Sequence, residues 1–168
     1  MSGKVLVTYG SWAGSTAGVA EAIGKALSEK GLDVEVRRAK EVRDASPYSA
    51  VIVGSAVRAG MLVAEAKRFV QAHRQALAKV PVAYFVCCLT MSEPTEANRK
   101  SADAYLNPLR AMVQPVDVGL FGGMLDVSKL PKLLGMAMGK SPGAGKDFRD
   151  WAAIRAWAEA LPAKMGIG

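Results

Sequence analysis

A short loop of small and hydroxylated residues near the start of the chain could bind a phosphate group. Its sequence is Gly10-Ser11-Trp12-Ala13-Gly14-Ser15-Thr16. Small residues let backbone N–H groups approach a phosphate closely, and a helix that follows directs the positive end of its dipole toward the anion. The hydroxyl groups of Ser11, Ser15 and Thr16 add further donors. The loop therefore predicts an anion site between a first strand and a first helix.

The residues of this loop restrict the kind of phosphate that it could hold. It has no lysine, so it differs from the Gly-Lys-Ser/Thr loops that bind nucleoside triphosphates. It also lacks the Gly-x-Gly-x-x-Gly spacing of dinucleotide-binding loops. Hydroxyl and amide donors alone are suited to a mononucleotide such as FMN. An ordinary turn rich in glycine and serine is the alternative interpretation.

Two further loops follow apolar segments and are predicted to lie on either side of a flavin ring. The first contains Ser55, Ala56, Val57, Arg58, Ala59 and Gly60, and the second contains Cys88, Leu89 and Thr90. In an open parallel sheet, ligands bind beyond the carboxyl ends of the strands near the topological switch point. Arg58 either faces the flavin edge or an acidic substrate, or it is a solvated surface arginine. The Cys88 thiol is expected to pack rather than react.

Alternating strand and helix patterns would position these loops. Short apolar segments predict strands at 4–9, 32–36, 50–54, 81–86 and 116–121. Helical periodicity predicts helices at 16–30, 63–77, 95–113 and 147–161, with one further helical turn within 40–46. We expect the second strand to be a half-exposed edge and Pro108 to kink or restart the third helix. The alternation predicts an α/β fold with a parallel sheet and helices on both faces.

The last predicted helix has the clearest ends. Asp147 is placed to cap its N-terminus, and Pro162 is expected to end it. Its apolar face is predicted to consist of Trp151, Ile154, Trp157, Ala158 and Leu161. The segment before this helix, residues 126–146, does not fit the alternation of strands and helices, because a loop of that length is unusual within a compact domain.

Length and composition favour a single domain, 1–168, with an insert at about 126–146. The chain has 168 residues, of which 51% are hydrophobic. No apolar run approaches the roughly 20 residues that span a bilayer, and the N-terminus does not resemble a signal peptide. We therefore expect a cytoplasmic protein. The adjacent Cys87 and Cys88 are expected to stay reduced, and with one histidine in the chain no metal site is predicted.

The net charge of +7 indicates attraction to acidic partners rather than a particular fold. Within 128–146 there are four lysines, no acidic residue and several leucines and methionines. Such a segment could contact an anionic membrane surface or cover a flat apolar ligand, or it could be a surface loop; these interpretations stay open. No nucleic-acid partner is predicted.

Several of these motifs resemble those of a known family. Ser11-x-x-Gly14-x-Thr16 resembles the Thr/Ser-x-x-Gly-x-Thr phosphate loop of flavodoxins, and residues 53–60 resemble the Ile-Gly-Ala-Ser-Ile-Arg-Tyr-Gly-type loop of the menaquinone-dependent protoporphyrinogen oxidases. The stretch Gly122-Gly123-Met124-Leu125, the long insert and Asp147-x-x-x-Trp151 are similar to that branch as well. The resemblance implies a flavodoxin-like three-layer sandwich with five parallel strands in the order 2-1-3-4-5.

The resemblance also implies a function. FMN would be bound without a covalent bond, and Gly122 and Gly123 would join the residues that surround it. Electrons would pass from a porphyrinogen to a quinone or another redox partner, as in heme biosynthesis, with possible contact at the inner face of the membrane. Two alternatives remain at this point: an electron-carrier flavodoxin, and a regulatory protein that has lost its flavin.

Overall fold

A mostly parallel sheet forms the centre of the computed structural model, which describes residues 3–11, 14–124 and 147–168. Its strands are β1 (Lys4–Gly10), β2 (Asp33–Arg38), β3 (Tyr48–Arg58), β4 (Met61–Leu62), β5 (Val82–Cys88) and β6 (Asp117–Gly122). The parallel strands follow the order β2-β1-β3-β5-β6, which confirms the predicted order. The described sheet has six strands rather than five, because β3 continues beyond Gly54 and turns back to pair antiparallel with β4.

Helices cover both faces of this sheet. They are α1 (Ser15–Glu29), α2 (Ala64–Ala72), α3 (Arg74–Leu77), α4 (Glu96–Ala104), α5 (Asn107–Arg110) and α6 (Trp151–Met165). Single 3₁₀ turns occur at Ala39–Glu41 and Leu89–Ser92. Two predicted helices are divided: His73, at φ −108° and ψ 17°, separates α2 from α3, and Pro108 lies in the first turn of α5. No helix within the described ranges combines the length and the apolar character needed to cross a bilayer.

Each face of the sheet has its own hydrophobic core. One core packs α1 and α6 against β1, and Val19, Ala20, Ile23 and Leu27 of α1 are completely buried in it, as their helical spacing predicts. The other core packs α2 to α5 against the opposite face. Strand β2 is half exposed at the edge, also as predicted. Burial on both faces explains why β3 and β5 are almost entirely apolar.

The start and end of α6 differ from the sequence prediction. The carboxylate of Asp150, not that of Asp147, caps the helix by accepting a bond from the Ala153 N–H at 3.0 Å. Trp151 is 45% exposed, because it stands at the first helical position, where it faces outward rather than the core. Pro162 lies inside α6, which continues to Met165 and ends at Gly166 in the left-handed region at φ 69°.

Candidate functional site

The carboxyl ends of the central strands bring the predicted loops to one edge of the sheet. Gly10 at the end of β1 pairs with Ser55 of β3, and Ala56 pairs with Cys87 of β5. Cys88 pairs in turn with Gly122 of β6. The three regions that were predicted separately from the sequence are therefore neighbours, at the edge where open α/β sheets bind their ligands.

The first loop leads directly into α1 and leaves the start of that helix without a side-chain cap. Trp12 and Ala13, which were predicted to contact the ligand, lie outside the described residues. Gly14 is the N-cap residue at φ 82°, a conformation that glycine adopts without strain. No side chain of the described residues caps α1, and its first turn has no acidic residue. The positive end of the α1 dipole is therefore not offset by a carboxylate in that turn.

Two hydroxyl groups at this helix start are buried without a hydrogen-bond partner in the described part of the chain. They are Ser11 Oγ and Thr16 Oγ1, and Thr16 is completely inaccessible. A buried hydroxyl without a partner costs about 1–3 kcal/mol, so proteins seldom keep one without reason. A phosphate oxygen would accept a bond from each. The residues present thus fit a phosphate group, with Ser15, 8% exposed, beside them. A third such hydroxyl belongs to Thr8 on β1.

The two cysteines lie at the end of β5 and point into opposite cores. Cys87 belongs to the core of α1 and α6, and Cys88 belongs to the core on the other face. Both thiols are free, as predicted, and burial raises the pKa of each above that of an ordinary thiol. The nearby Thr16 hydroxyl opposes this rise at Cys87, although it makes no hydrogen bond of standard geometry with the sulfur. These thiols therefore stay protonated at neutral pH and serve as packing groups.

The predicted second loop is largely a strand, which corrects the sequence interpretation of Ser55–Arg58. Ser55 is completely buried, and its hydroxyl donates to the Ala56 carbonyl at 2.7 Å and accepts from the Val63 N–H at 3.2 Å. Its polar group is thus used to join β3 to the start of α2. Ala56 is buried and Val57 half buried, so their side chains contribute to packing. A ligand at this strand would contact them at the rim of the sheet.

A tight hairpin follows, and it supplies the exposed part of the second region. Arg58 pairs with Met61, so Ala59 and Gly60 form a two-residue loop. Their φ values are 52° and 76°, as a type I′ turn requires. Arg58, Ala59 and Gly60 are exposed, and Met61 is 60% exposed. The hairpin extends the sheet past its edge and presents an arginine and an apolar side chain there.

The third region combines a 3₁₀ turn with two closely packed glycines. Leu89 is 39% exposed, and the Thr90 hydroxyl shares a 3.2 Å hydrogen bond with the Tyr105 hydroxyl. The Gly123 N–H donates to the Cys88 carbonyl at 3.2 Å. A Cβ at Gly122 would lie 2.3 Å from the Phe148 carbonyl oxygen. Glycine is needed at 122 because the segment before α6 crosses directly over the end of β6.

A family model described as "Flavodoxin domain" matches residues 6–139, which is most of the chain. The chain belongs to the flavodoxin family. No curated protein sequence matches it.

Solved flavodoxin structures share the fold of this flavodoxin domain at low identity. A flavodoxin from the domain Archaea is 21% identical with a TM-score of 0.56, and the match covers 97% of this chain and 99% of that one. A short-chain flavodoxin associated with a non-canonical PDU bacterial microcompartment is 11% identical with a TM-score of 0.63, and the match covers 98% of this chain and 99% of that one. A variant flavodoxin of Fusobacterium nucleatum bound to flavin mononucleotide is 14% identical with a TM-score of 0.51, and the match covers 70% of this chain and 68% of that one. None of these matches names a protoporphyrinogen oxidase.

Two arginines lie beside the first loop, and the sequence patterns did not predict either of them there. Arg38, at the end of β2, pairs with Glu65 and donates to the Ser11 carbonyl at 3.4 Å. Arg149, just before α6, pairs with Asp147 and donates to the Ser15 carbonyl at 3.4 Å. No local pattern could reveal these contacts, because they join residues 27 and 134 positions apart.

Proposed function

We propose that this flavodoxin domain binds FMN without a covalent bond and carries electrons between redox partners. The observation that carries the proposal is a pair of buried hydroxyls, Ser11 Oγ and Thr16 Oγ1, at the start of α1, where the described residues provide neither a partner for them nor a cap for the helix. Family membership and the FMN-bound flavodoxin among the structural matches support the same cofactor. When bound, FMN would supply the one- and two-electron chemistry.

Different residues of the chain would then contact the phosphate and the ring of the cofactor. Ser11, Ser15 and Thr16 would donate to the phosphate together with the first N–H groups of α1. The apolar side chains of Met61 and Leu89, exposed on the two loops at the same edge, would pack near the ring and limit its contact with water. No acid or base is required, because electron transfer through a flavin needs no general catalyst from the protein.

Oxidation of a porphyrinogen with a quinone acceptor is a second candidate. The sequence of residues 53–60 favours it, and so does the net charge of +7, since electron-carrier flavodoxins are acidic as a group. Contact of 128–146 with an anionic membrane is a proposal of the same kind, and this segment lies outside the described residues. A cytoplasmic location remains a prediction from the sequence.

Titration with FMN and with riboflavin tests the cofactor proposal. Both flavins carry the same ring, so the ratio of their dissociation constants isolates the phosphate. We expect FMN to bind at least about 100-fold more tightly, since several charge-assisted hydrogen bonds at about 1.5–3 kcal/mol each depend on the phosphate. Equal affinity for the two flavins, or no affinity for either, would overturn the phosphate site.

Two activity measurements separate the candidate functions. The FMN-loaded protein is mixed with protoporphyrinogen IX and a menaquinone analogue, and porphyrin fluorescence is followed. Turnover of the porphyrinogen would support the oxidase; its absence in a fully loaded preparation that still exchanges electrons with a reductant would support the carrier. Sedimentation with anionic liposomes, before and after deletion of 128–145, tests membrane contact, and unchanged binding would dismiss it.

A further inference from the structure

Two arginines approach the phosphate loop from opposite layers of the sandwich. Arg38 lies at the end of β2 and contacts Glu65 of α2, on one side of the sheet. Arg149 lies on the other side, where its guanidinium is 4.7 Å from the centre of the Trp151 ring and against the first turn of α1. Each donates one hydrogen bond to a carbonyl of the loop or of the helix start.

The charge of each arginine is already balanced by a carboxylate. Glu65 accepts from Nε and Nη2 of Arg38 at 3.1–3.2 Å, and also from the backbone N–H of Lys40. Asp147 accepts from Nε and Nη2 of Arg149 at 2.9 and 2.8 Å, and from its backbone N–H at 3.0 Å. Two-pronged pairs of this kind fix the plane of a guanidinium group. Both side chains are therefore held in place before any ligand arrives.

The hydrogen bond from Arg149 to the Ser15 carbonyl also affects the direction of the Thr16 N–H. Because a peptide group is planar and trans, the N–H of Thr16 points opposite to the Ser15 carbonyl. Fixing that carbonyl against Arg149 fixes the Thr16 N–H toward the start of α1, where the Thr16 hydroxyl also lies without a partner among the described residues. Arg149 further joins Met124 at the end of β6, through a 3.5 Å contact to its sulfur. It thus joins two segments, the one before α6 and the one after β6, to the first turn of α1.

We infer that Arg38 and Arg149 are positioning residues for the phosphate of FMN, acting through the Ser11 and Ser15 carbonyls rather than by touching the phosphate. This inference rests on the proposed cofactor. It explains how a loop without a lysine of its own can be preorganised for a dianion. Preorganised dipoles bind an anion without the cost of ordering a flexible loop.

The first experiment replaces each arginine and uses a neighbouring arginine as its control. Arg38→Met is compared with Arg37→Met, because Arg37 is the next residue on β2 and pairs with Glu35. Arg149→Met is compared with Arg155→Met, because Arg155 pairs with Glu29 at the far end of α1. We expect FMN affinity to fall about fivefold to tenfold in each test variant, as loss of one charge-assisted bond implies, and less than twofold in the controls.

Riboflavin separates positioning of the phosphate from general damage to the site. The test variants should bind riboflavin within twofold of the unmodified protein, which also shows that they are folded. An equal loss of FMN and riboflavin affinity, or no loss of either, would overturn the inference. If the unmodified protein itself does not prefer FMN over riboflavin, the proposed cofactor fails instead, so the two failures are distinguishable.

A second experiment decides whether the arginines position the loop or bind the phosphate directly. Asp147→Asn and Glu65→Gln release the guanidinium groups, and titrations at about 0.5 M salt screen the added net charge. A positioning role predicts weaker FMN binding, because the arginine is no longer held against its carbonyl. Tighter FMN binding would show that the freed arginine reaches the phosphate, and would overturn the inference.

Discussion

Replacing Thr16 with valine should change the stability and the ligand affinity in opposite directions. Valine has the shape of threonine without the hydroxyl, and the two have similar helix propensities. Thr16 is completely buried, and its Oγ1 has no hydrogen-bond partner in the described residues. Removing a buried, unsatisfied hydroxyl recovers about 1–3 kcal/mol, so the ligand-free variant should be more stable than the unmodified protein by that amount. Loss of a bond to a charged phosphate should weaken FMN binding about 10-fold to 100-fold.

The assay combines urea unfolding without ligand and fluorescence titration with FMN. Thr95→Val is the matched control, since the Thr95 hydroxyl caps α4 by accepting from the Asn98 N–H at 3.1 Å. We expect that control to lose about 0.5–2 kcal/mol of stability and to keep its FMN affinity. The same substitution thus has opposite effects on stability at the two positions, because one hydroxyl is satisfied and the other is not.

Two results would refute this reasoning. A valine variant that binds FMN as tightly as the unmodified protein would show that the Thr16 hydroxyl does not contact the phosphate. A variant that is less stable without ligand would show that this hydroxyl already has a partner in the folded protein, the neighbouring Cys87 thiol being the first candidate.

Three further predictions concern β3 and the hairpin that follows it. Burial, together with the hydrogen bond to Glu35, raises the pKa of Tyr48 to about 12. The neutral phenol therefore stabilises the fold below about pH 10, and this contribution is lost between about pH 10 and 12. Urea unfolding at a series of pH values should show this loss of stability in the unmodified protein and not in the Tyr48→Phe variant. Ala59→Asn should raise the unfolding midpoint, with a gain of about 0.5–1 kcal/mol, because Ala59 has φ 52° in a type I′ turn that asparagine tolerates; a lower midpoint would contradict the turn assignment. Gly54→Ala should cost about 1–3 kcal/mol, since a Cβ there would lie 1.9 Å from the Phe85 ring, and Phe85→Leu in a double-mutant cycle should recover part of that loss.

Local patterns in the chain were sufficient to predict much of the fold. The helical spacing of Val19, Ile23 and Leu27 identified the buried face of α1, and alternation along 32–36 identified the edge strand. These predictions succeeded because each depends on residues within one element, whose geometry repeats every 3.6 or 2 positions. The FMN prediction has the same origin, since the donors of the loop are adjacent in sequence, and it agrees with membership in the flavodoxin family.

Element ends were harder to predict, because competing signals lie close together. Asp147 and Asp150 both have the side chain of a helix cap, but α6 begins at Trp151, so Asp150 is the residue in the capping position. Asp147 pairs instead with Arg149, which holds the pKa of that carboxyl below its usual range. Likewise, β3 continues past Gly54, because residues 57 and 58 find partners in β4. The oxidase branch is supported by sequence motifs and by the net charge of +7, and the comparisons with known proteins add nothing to that support.

Local sequence patterns were enough to predict the order of the parallel strands and the main helices, the phosphate loop without a lysine, and the adjacent cysteines that face opposite cores. Other features emerged only in three dimensions: within the described residues the Ser11 and Thr16 hydroxyls have no partner, Ser55 makes a structural hydrogen bond, and Arg38 and Arg149 contact the Ser11 and Ser15 carbonyls. The physical reason is distance along the chain. Hydrogen-bond satisfaction and ion pairing depend on which remote segments meet, and Ser15 meets Arg149 across 134 positions.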